Sequence, residues 1–150
     1  EPPRDLRELF LLLAGSADFE GFRPKLGQKA QLREWARKSV RWTSKEPIDT
    51  PAKKVSVLLQ LALAEPPRQQ LKWDLKAEQQ QLLRRSEFLM RLLVELFKCR
   101  GQGWQLLNAL ILKKCLQKQT WENSPLQVRQ LPNIGDNIAQ RLQASGLGTL

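Results

Sequence analysis

Apolar residues recur along this chain at steps of three and four, and no stretch shows the alternation of a half-buried strand, so the pattern predicts helices throughout. Leu6, Leu9, Phe10 and Leu13 line a first helix over 4–14, which stops at Gly15-Ser16. Residues 17–27 mix Asp18, Phe19, Gly21, Phe22, Pro24 and Gly27, the composition of an ordered connector whose two rings dock on a core. A second helix over 28–40 turns Ala30, Leu32, Trp35 and Ala36 inward and leaves Lys29, Arg33, Arg37 and Lys38 on a face that reads more readily as solvated than as binding. After a loop over 43–49, Thr50 caps and Pro51 opens a third helix that runs to about Ala64. Val55, Val57, Leu58, Leu59, Leu61, Ala62 and Leu63 leave it little polar face, so it is expected at the centre of the fold, and Glu65-Pro66-Pro67 ends it.

Asp74 is placed to cap a long helix reaching about Lys98. Leu75, Leu82, Leu89, Leu93, Leu96 and Phe97 form its expected inward seam, while Lys76, Gln80, Arg84, Glu87, Arg91, Glu95 and Lys98 recur on another face, usually a solvated one. Gly101-Gln102-Gly103 breaks the chain before a helix from Trp104 to about Gln119, with Trp104, Leu107, Leu110, Ile111 and Cys115 expected inward. Ser124-Pro125 then starts the first helix of a helix-hairpin-helix, whose second helix runs to about Ser145 and stops at Gly146. Leu131, Ile134, Ile138 and Leu142 are expected to knit the two helices, and Leu147 to Leu150 reads as the beginning of a further segment cut off. The predicted architecture is all-α: a multi-helix bundle over 1–120 and a small helix-hairpin-helix unit over 121–150.

The hairpin turn adds candidate chemistry. Asn133 and Gly135 tolerate the backbone angles of a sharp turn, and the helix opening near Asp136 offers unpaired N–H donors and the positive end of its dipole to a phosphate. The Asp136 carboxylate would compete with that anion, so a purely structural hairpin is an equal reading.

Composition narrows the classes. With 150 residues, 41% of them hydrophobic, the chain can bury one ordinary core. A net charge of +10, mildly heavier in the middle third, favours a polyanionic partner without naming it. Histidine and tyrosine are absent, and there is no phosphate loop, nucleophile elbow or paired carboxylate motif, so no catalytic residue and no metal site is expected. Cys99 and Cys115 lack zinc-ligand companions and are expected to be packed thiols in a reducing compartment. Apolar runs such as Leu9 to Ala14 and Val55 to Ala64 are too short for a bilayer and no leader opens the chain, so a soluble, intracellular protein without membrane contact is expected.

The order of pieces carries a resemblance. Lys54 to Leu63, Asp74-Leu75-Lys76, Leu106 to Leu112 with Lys114-Cys115, then Trp121-Glu122-Asn123-Ser124 and Leu131-Pro132-Asn133-Ile134-Gly135 resemble, over essentially the whole chain, the carboxy-terminal accessory region of superfamily-two helicases. That region is shared with a subunit of the endoplasmic-reticulum translocation machinery, and the last segment looks most like the meiotic, crossover-promoting DNA helicases. The resemblance implies a nuclear parent enzyme that moves 3′ to 5′ using ATP and Mg, with motor lobes upstream and no cofactor in this part. It further implies that the long helix contacts the unwound strand, which makes Gln80, Arg84, Glu87 and Arg91, together with Asn133, Gly135, Asn137 and Arg141 at the hairpin, the candidate nucleic-acid-binding residues. No aromatic falls on the stripe, so contact with the strand's backbone through arginine is expected rather than base stacking. The implied partners are single-stranded or branched recombination DNA, the motor lobes in cis, and a recombination or mismatch-repair protein. The alternative is an interaction scaffold without DNA binding of its own, anchored by connector residues such as Trp42 or Trp73.

Overall fold

A computed structural model describes residues 2–65 and 70–149, and every regular element among them is helical. The order is α1 (Leu6–Ala14), a 3-10 turn (Ala17–Phe19), α2 (Leu26–Lys38), α3 (Pro51–Leu63), α4 (Trp73–Cys99), α5 (Gly103–Lys118), a second 3-10 turn (Gln127–Gln130) and α6 (Asp136–Ala144). The expected end of α3 at Pro66-Pro67 lies outside the described residues.

α3 is the axis of the bundle. Thr50 caps it, its hydroxyl accepting from Lys53 N at 3.4 Å, with Pro51 at the first helical position, where a missing N–H costs nothing. Val55, Leu58 and Leu59 are wholly enclosed by α1, α4 and α5, each stabilising the fold by roughly 1.5–3 kcal/mol relative to exposure. The side chains of Phe19 and Phe22 close the bundle from the connector, as expected. At its other end Phe10, Trp42 and Trp121 meet with ring centroids 5.0 to 5.9 Å apart, and the Arg41 guanidinium lies over both indoles while pairing with Glu122 at 2.8 and 2.9 Å. Trp42 is therefore a packed residue and not the free anchor the loop composition suggested, whereas Trp73 is 84% exposed.

Charge is buried here as well. Lys54 on α3 is completely enclosed, and its Nζ donates to Gln28 Oε1 at 2.8 Å and to the Arg23 carbonyl at 3.3 Å, and pairs with Glu78 Oε2 at 2.5 Å. Gln28 Nε2 in turn donates to Asp74 Oδ2 at 2.9 Å, which holds that carboxyl below its ordinary pKa. Asp74 thus serves this network inside the first turn of α4, and the cap position belongs to Lys72, which makes no side-chain cap. Gln28 is buried where Ala30 was expected, and Ala30 is exposed, because α2 begins at Leu26 and rotates its face towards Lys54.

Two further faces differ from the periodicity. α4 buries Leu75, Gln79, Leu82, Leu83, Ser86, Met90 and Phe97, while Leu89 and Leu93 are half-buried and Leu96 is exposed. α5 is apolar on both sides, so spacing could not choose between them. It buries Asn108, Ala109, Leu112, Cys115 and Leu116 and exposes Trp104, Leu107 and Leu110, a rotation of about a third of a turn from the expected face at ~100° per residue. Ile111 is half-buried and Cys99 is exposed. The α4–α5 hairpin closes at Gly101 (φ 63°), where N–H groups of Gly101 and Gln102 satisfy the Lys98 and Phe97 carbonyls.

The hairpin unit has its own small core of Leu126, Val128 and Ala139, flanked by Ile134 and Leu142. Its first helix is only the 3-10 turn 127–130, since the Ser124 hydroxyl accepts from Leu126 N at 3.0 Å and tightens the chain there. Leu131 and Ile138 are exposed and do not join the helices. The chain then returns: Leu147 N donates to the Leu142 carbonyl, Gly146 takes φ 80°, and the Gly148 carbonyl accepts from Val128 N at 3.1 Å. A β-carbon at Gly148 would collide with the Pro125 carbonyl.

Lys54→Met removes the buried ammonium from Glu78 and Gln28, leaving Glu78 only the exposed Lys25 at 3.7 Å, and is expected to cost about 3 kcal/mol in urea denaturation. Gly148→Ala is expected to cost about 1–3 kcal/mol and to speed hydrogen exchange at the Val128 amide, with the α3 amides unaffected.

Candidate nucleic-acid interface

α4 is about 40 Å long, and at ~100° per residue its surface divides into three strips. One faces α3 and α5. A second holds Lys76, Gln80, Arg84, Glu87, Arg91, Glu95 and Lys98, all exposed except the half-buried Glu87, which confirms that the stripe is a surface. The third strip changes character along its length. Near the start of the helix Asp74 and Glu78 lie on it, half-buried beside α2, and the exposed Arg85 reaches the connector, its Nη1 donating to the Asp18 carbonyl at 2.9 Å over the Phe22 ring. Beyond Arg85 nothing covers it, and Phe88 (61% exposed), Leu92 and Leu96 stand in solvent.

This places an exposed ring beside the arginines. Phe88 is four residues after Arg84 and three before Arg91, spacings that make the three side chains neighbours on a helix surface. Phe88 belongs neither to the polar stripe nor to the apolar seam that the spacing picks out. Its signal was that very misfit. Arg84 and Arg91 have no hydrogen-bond or ion-pair partner among the described residues, unlike Arg85, Arg41 and Arg129. Lys98 is paired with Glu95 at 3.6 Å.

At the hairpin, Asn133 adopts the left-handed conformation expected of it (φ 63°). Gly135 does not use its freedom: its φ of −88° is open to any residue and a β-carbon there would meet open space. It precedes α6 as the residue whose carbonyl accepts from Ala139 N at 3.0 Å. Asp136 does not hang free over the helix end. Its Oδ1 pairs with Arg129 Nε at 2.6 Å, and Arg129 Nη1 donates to the Gln119 carbonyl at 3.4 Å, so the same guanidinium neutralises the carboxylate and ties the hairpin to the end of α5. Asn137 and Arg141 share a shallow depression on α6 with Ile138, Gln140 and Ala144. The eight sequence candidates therefore fall into two groups, four along α4 and four around the hairpin, with no direct contact between the groups among the described residues.

Burial and the neighbouring Glu122 push the Cys115 thiol up to about 12, and no three metal-ligating side chains converge among the described residues. No helix among them is long and apolar enough to cross a membrane. A maleimide at pH 8 is expected to label Cys99 in the folded protein and to leave Cys115 unlabelled until denaturant is added, as mass mapping of the adducts would show.

Residues 1–145 match the family described as the Sec63 Brl domain. The chain is 28% identical over 147 residues to a human protein described as a probable ATP-dependent DNA helicase HFM1, covering 95% of this chain and 10% of that protein. It is 28% identical over 149 residues to the Xenopus tropicalis protein of the same description, covering 96% and 11% respectively. A rice (Oryza sativa subsp. japonica) ATP-dependent DNA helicase MER3 homolog is 39% identical over 41 residues, 27% of this chain and 3% of that protein. The chain thus spans about a tenth of the two relatives it matches throughout.

Proposed function

The chain belongs to the Sec63 Brl domain family, and on that premise we propose that it is a non-catalytic accessory module of an ATP-dependent 3′–5′ DNA helicase acting in meiotic recombination. Its task is to guide single-stranded DNA and to dock against the motor lobes. The observation that carries this reading is the line of unpartnered Arg84 and Arg91 on the exposed strip of α4, with Phe88 between them. The guanidinium groups take phosphates, and the ring supplies the stacking surface that the polar stripe itself lacks. Gln80 extends the strip towards the start of the helix, and Glu87 keeps the strand at the level of the arginines by repelling phosphate from the half-buried side. The amides at the start of α6, with Asn133, Gly135, Asn137 and Arg141 around them, form a second phosphate contact now that Arg129 masks Asp136. ATP and Mg belong to the motor lobes of the parent chain, whose place of work is the nucleus.

The docking role rests on a separate observation. Leu12 and Leu13 of α1 and Leu89, Leu92, Leu93 and Leu96 of α4 line an apolar groove of about 550 Å³. Relatives ten times as long provide ample chain to cover such a face. If the groove rather than the arginine strip proves to be the binding surface, the module is a scaffold, and a recombination or mismatch-repair protein is its external partner.

A titration of fluorescent single-stranded DNA against the chain separates these readings. Arg84→Ala/Arg91→Ala is expected to bind about tenfold more weakly at ~50 mM salt and to lower the slope of log affinity against log salt by about 1.4, the effect of two lost phosphate contacts. Equal binding by both proteins removes the strip from the interface, and no binding by either, with capture of a partner through the groove, establishes the scaffold.

A further inference from the structure

Where α4 begins, a cleft of about 480 Å³ opens between it, the end of α3 and the end of α5. Among the described residues its polar lining is Gln70, Gln79, Gln80 and Gln119 with Lys76, and no carboxylate, against apolar surface from Leu61 and Leu71. Gln79 is fixed, since its Nε2 donates to the Leu58 carbonyl at 2.8 Å, while Gln70 and Gln80 are exposed and adjustable. Gln80 also belongs to the strip along which the strand is proposed to run, about 12 Å along the helix from Phe88.

We infer that this cleft receives a single unstacked nucleobase of the bound strand, its faces against Leu61 and Leu71, its hydrogen-bonding edge read by the glutamine amides and its phosphate held by Lys76. The inference rests on the strand path proposed above and adds a base contact to it. The chemistry favours a base over other occupants of similar size. A carboxamide pairs donor and acceptor in one plane, the arrangement complementary to a base edge. Among the described residues a free anion would find one ammonium, and a purely apolar ligand would leave the Gln70 and Gln80 carboxamides without partners in the cleft. Single-stranded nucleic acids are recognised in this way elsewhere, by splayed bases whose edges meet polar side chains.

The test uses this chain with two oligonucleotides of equal length, one bearing bases and one with abasic residues throughout, titrated by fluorescence anisotropy at low salt. Gln70→Ala/Gln80→Ala is expected to reduce the ratio of base-bearing to abasic affinity on the order of fivefold, whereas Arg84→Ala weakens both oligonucleotides together and leaves the ratio unchanged. An unchanged ratio in the glutamine variant overturns the base site and leaves the strand path standing. Failure of the unmodified chain to bind the base-bearing oligonucleotide overturns both.

Discussion

A single buried ammonium organises this molecule. Lys54 Nζ is enclosed at the centre of the bundle, where an unpaired charge would cost several kcal/mol, so the folded state depends on the groups that surround it. Those groups come from three segments: the Arg23 carbonyl from the connector, Gln28 from the first turn of α2, and Glu78 from α4. Gln28 passes the constraint on to Asp74. The rotation of α4 about its own axis is thereby set at its first turns, and everything on its surface follows from that rotation.

The consequence is an asymmetric helix. The same strip of α4 meets α2 and the connector as far as Arg85 and is bare from Phe88 onward, because the connector ends its contact with the Arg85 guanidinium over Phe22. Two surfaces with different chemistry thus lie side by side beyond that point, a basic polar strip and an apolar groove shared with α1. The two surfaces share no residue. The Arg129 guanidinium does comparable work at the hairpin, satisfying Asp136 and the end of α5 together and so holding the small unit against the bundle.

Much of this was legible in residue order. The helical character of the bundle, the burial of α3, the cap at Thr50, the left-handed Asn133 and the surface position of the Lys76 to Lys98 stripe all follow from local rules that act within a few residues. The misplaced apolar faces share one cause. α5 carries leucines on both sides, α4 carries more leucines than its neighbours can cover, and the hairpin offers Leu131 and Ile138 as plausible core residues when a closer packing of Leu126, Val128 and Ala139 wins. Periodicity finds the apolar residues of a helix but does not rank them when there are too many.

Sequence alone determined that the chain is helical, that Thr50 and Pro51 open α3, that its charge is basic, and which family it resembles, since propensity, capping and charge are properties of the chain itself. Tertiary structure decided which face of α4 and α5 is inside, that Lys54 and Gln28 are buried, that Phe88 stands beside Arg84 and Arg91, and that Asp136 is silenced by Arg129. Each of those depends on partners brought from distant segments, and in a packed interior the pairing of a buried charge outweighs the local preference of any single helix.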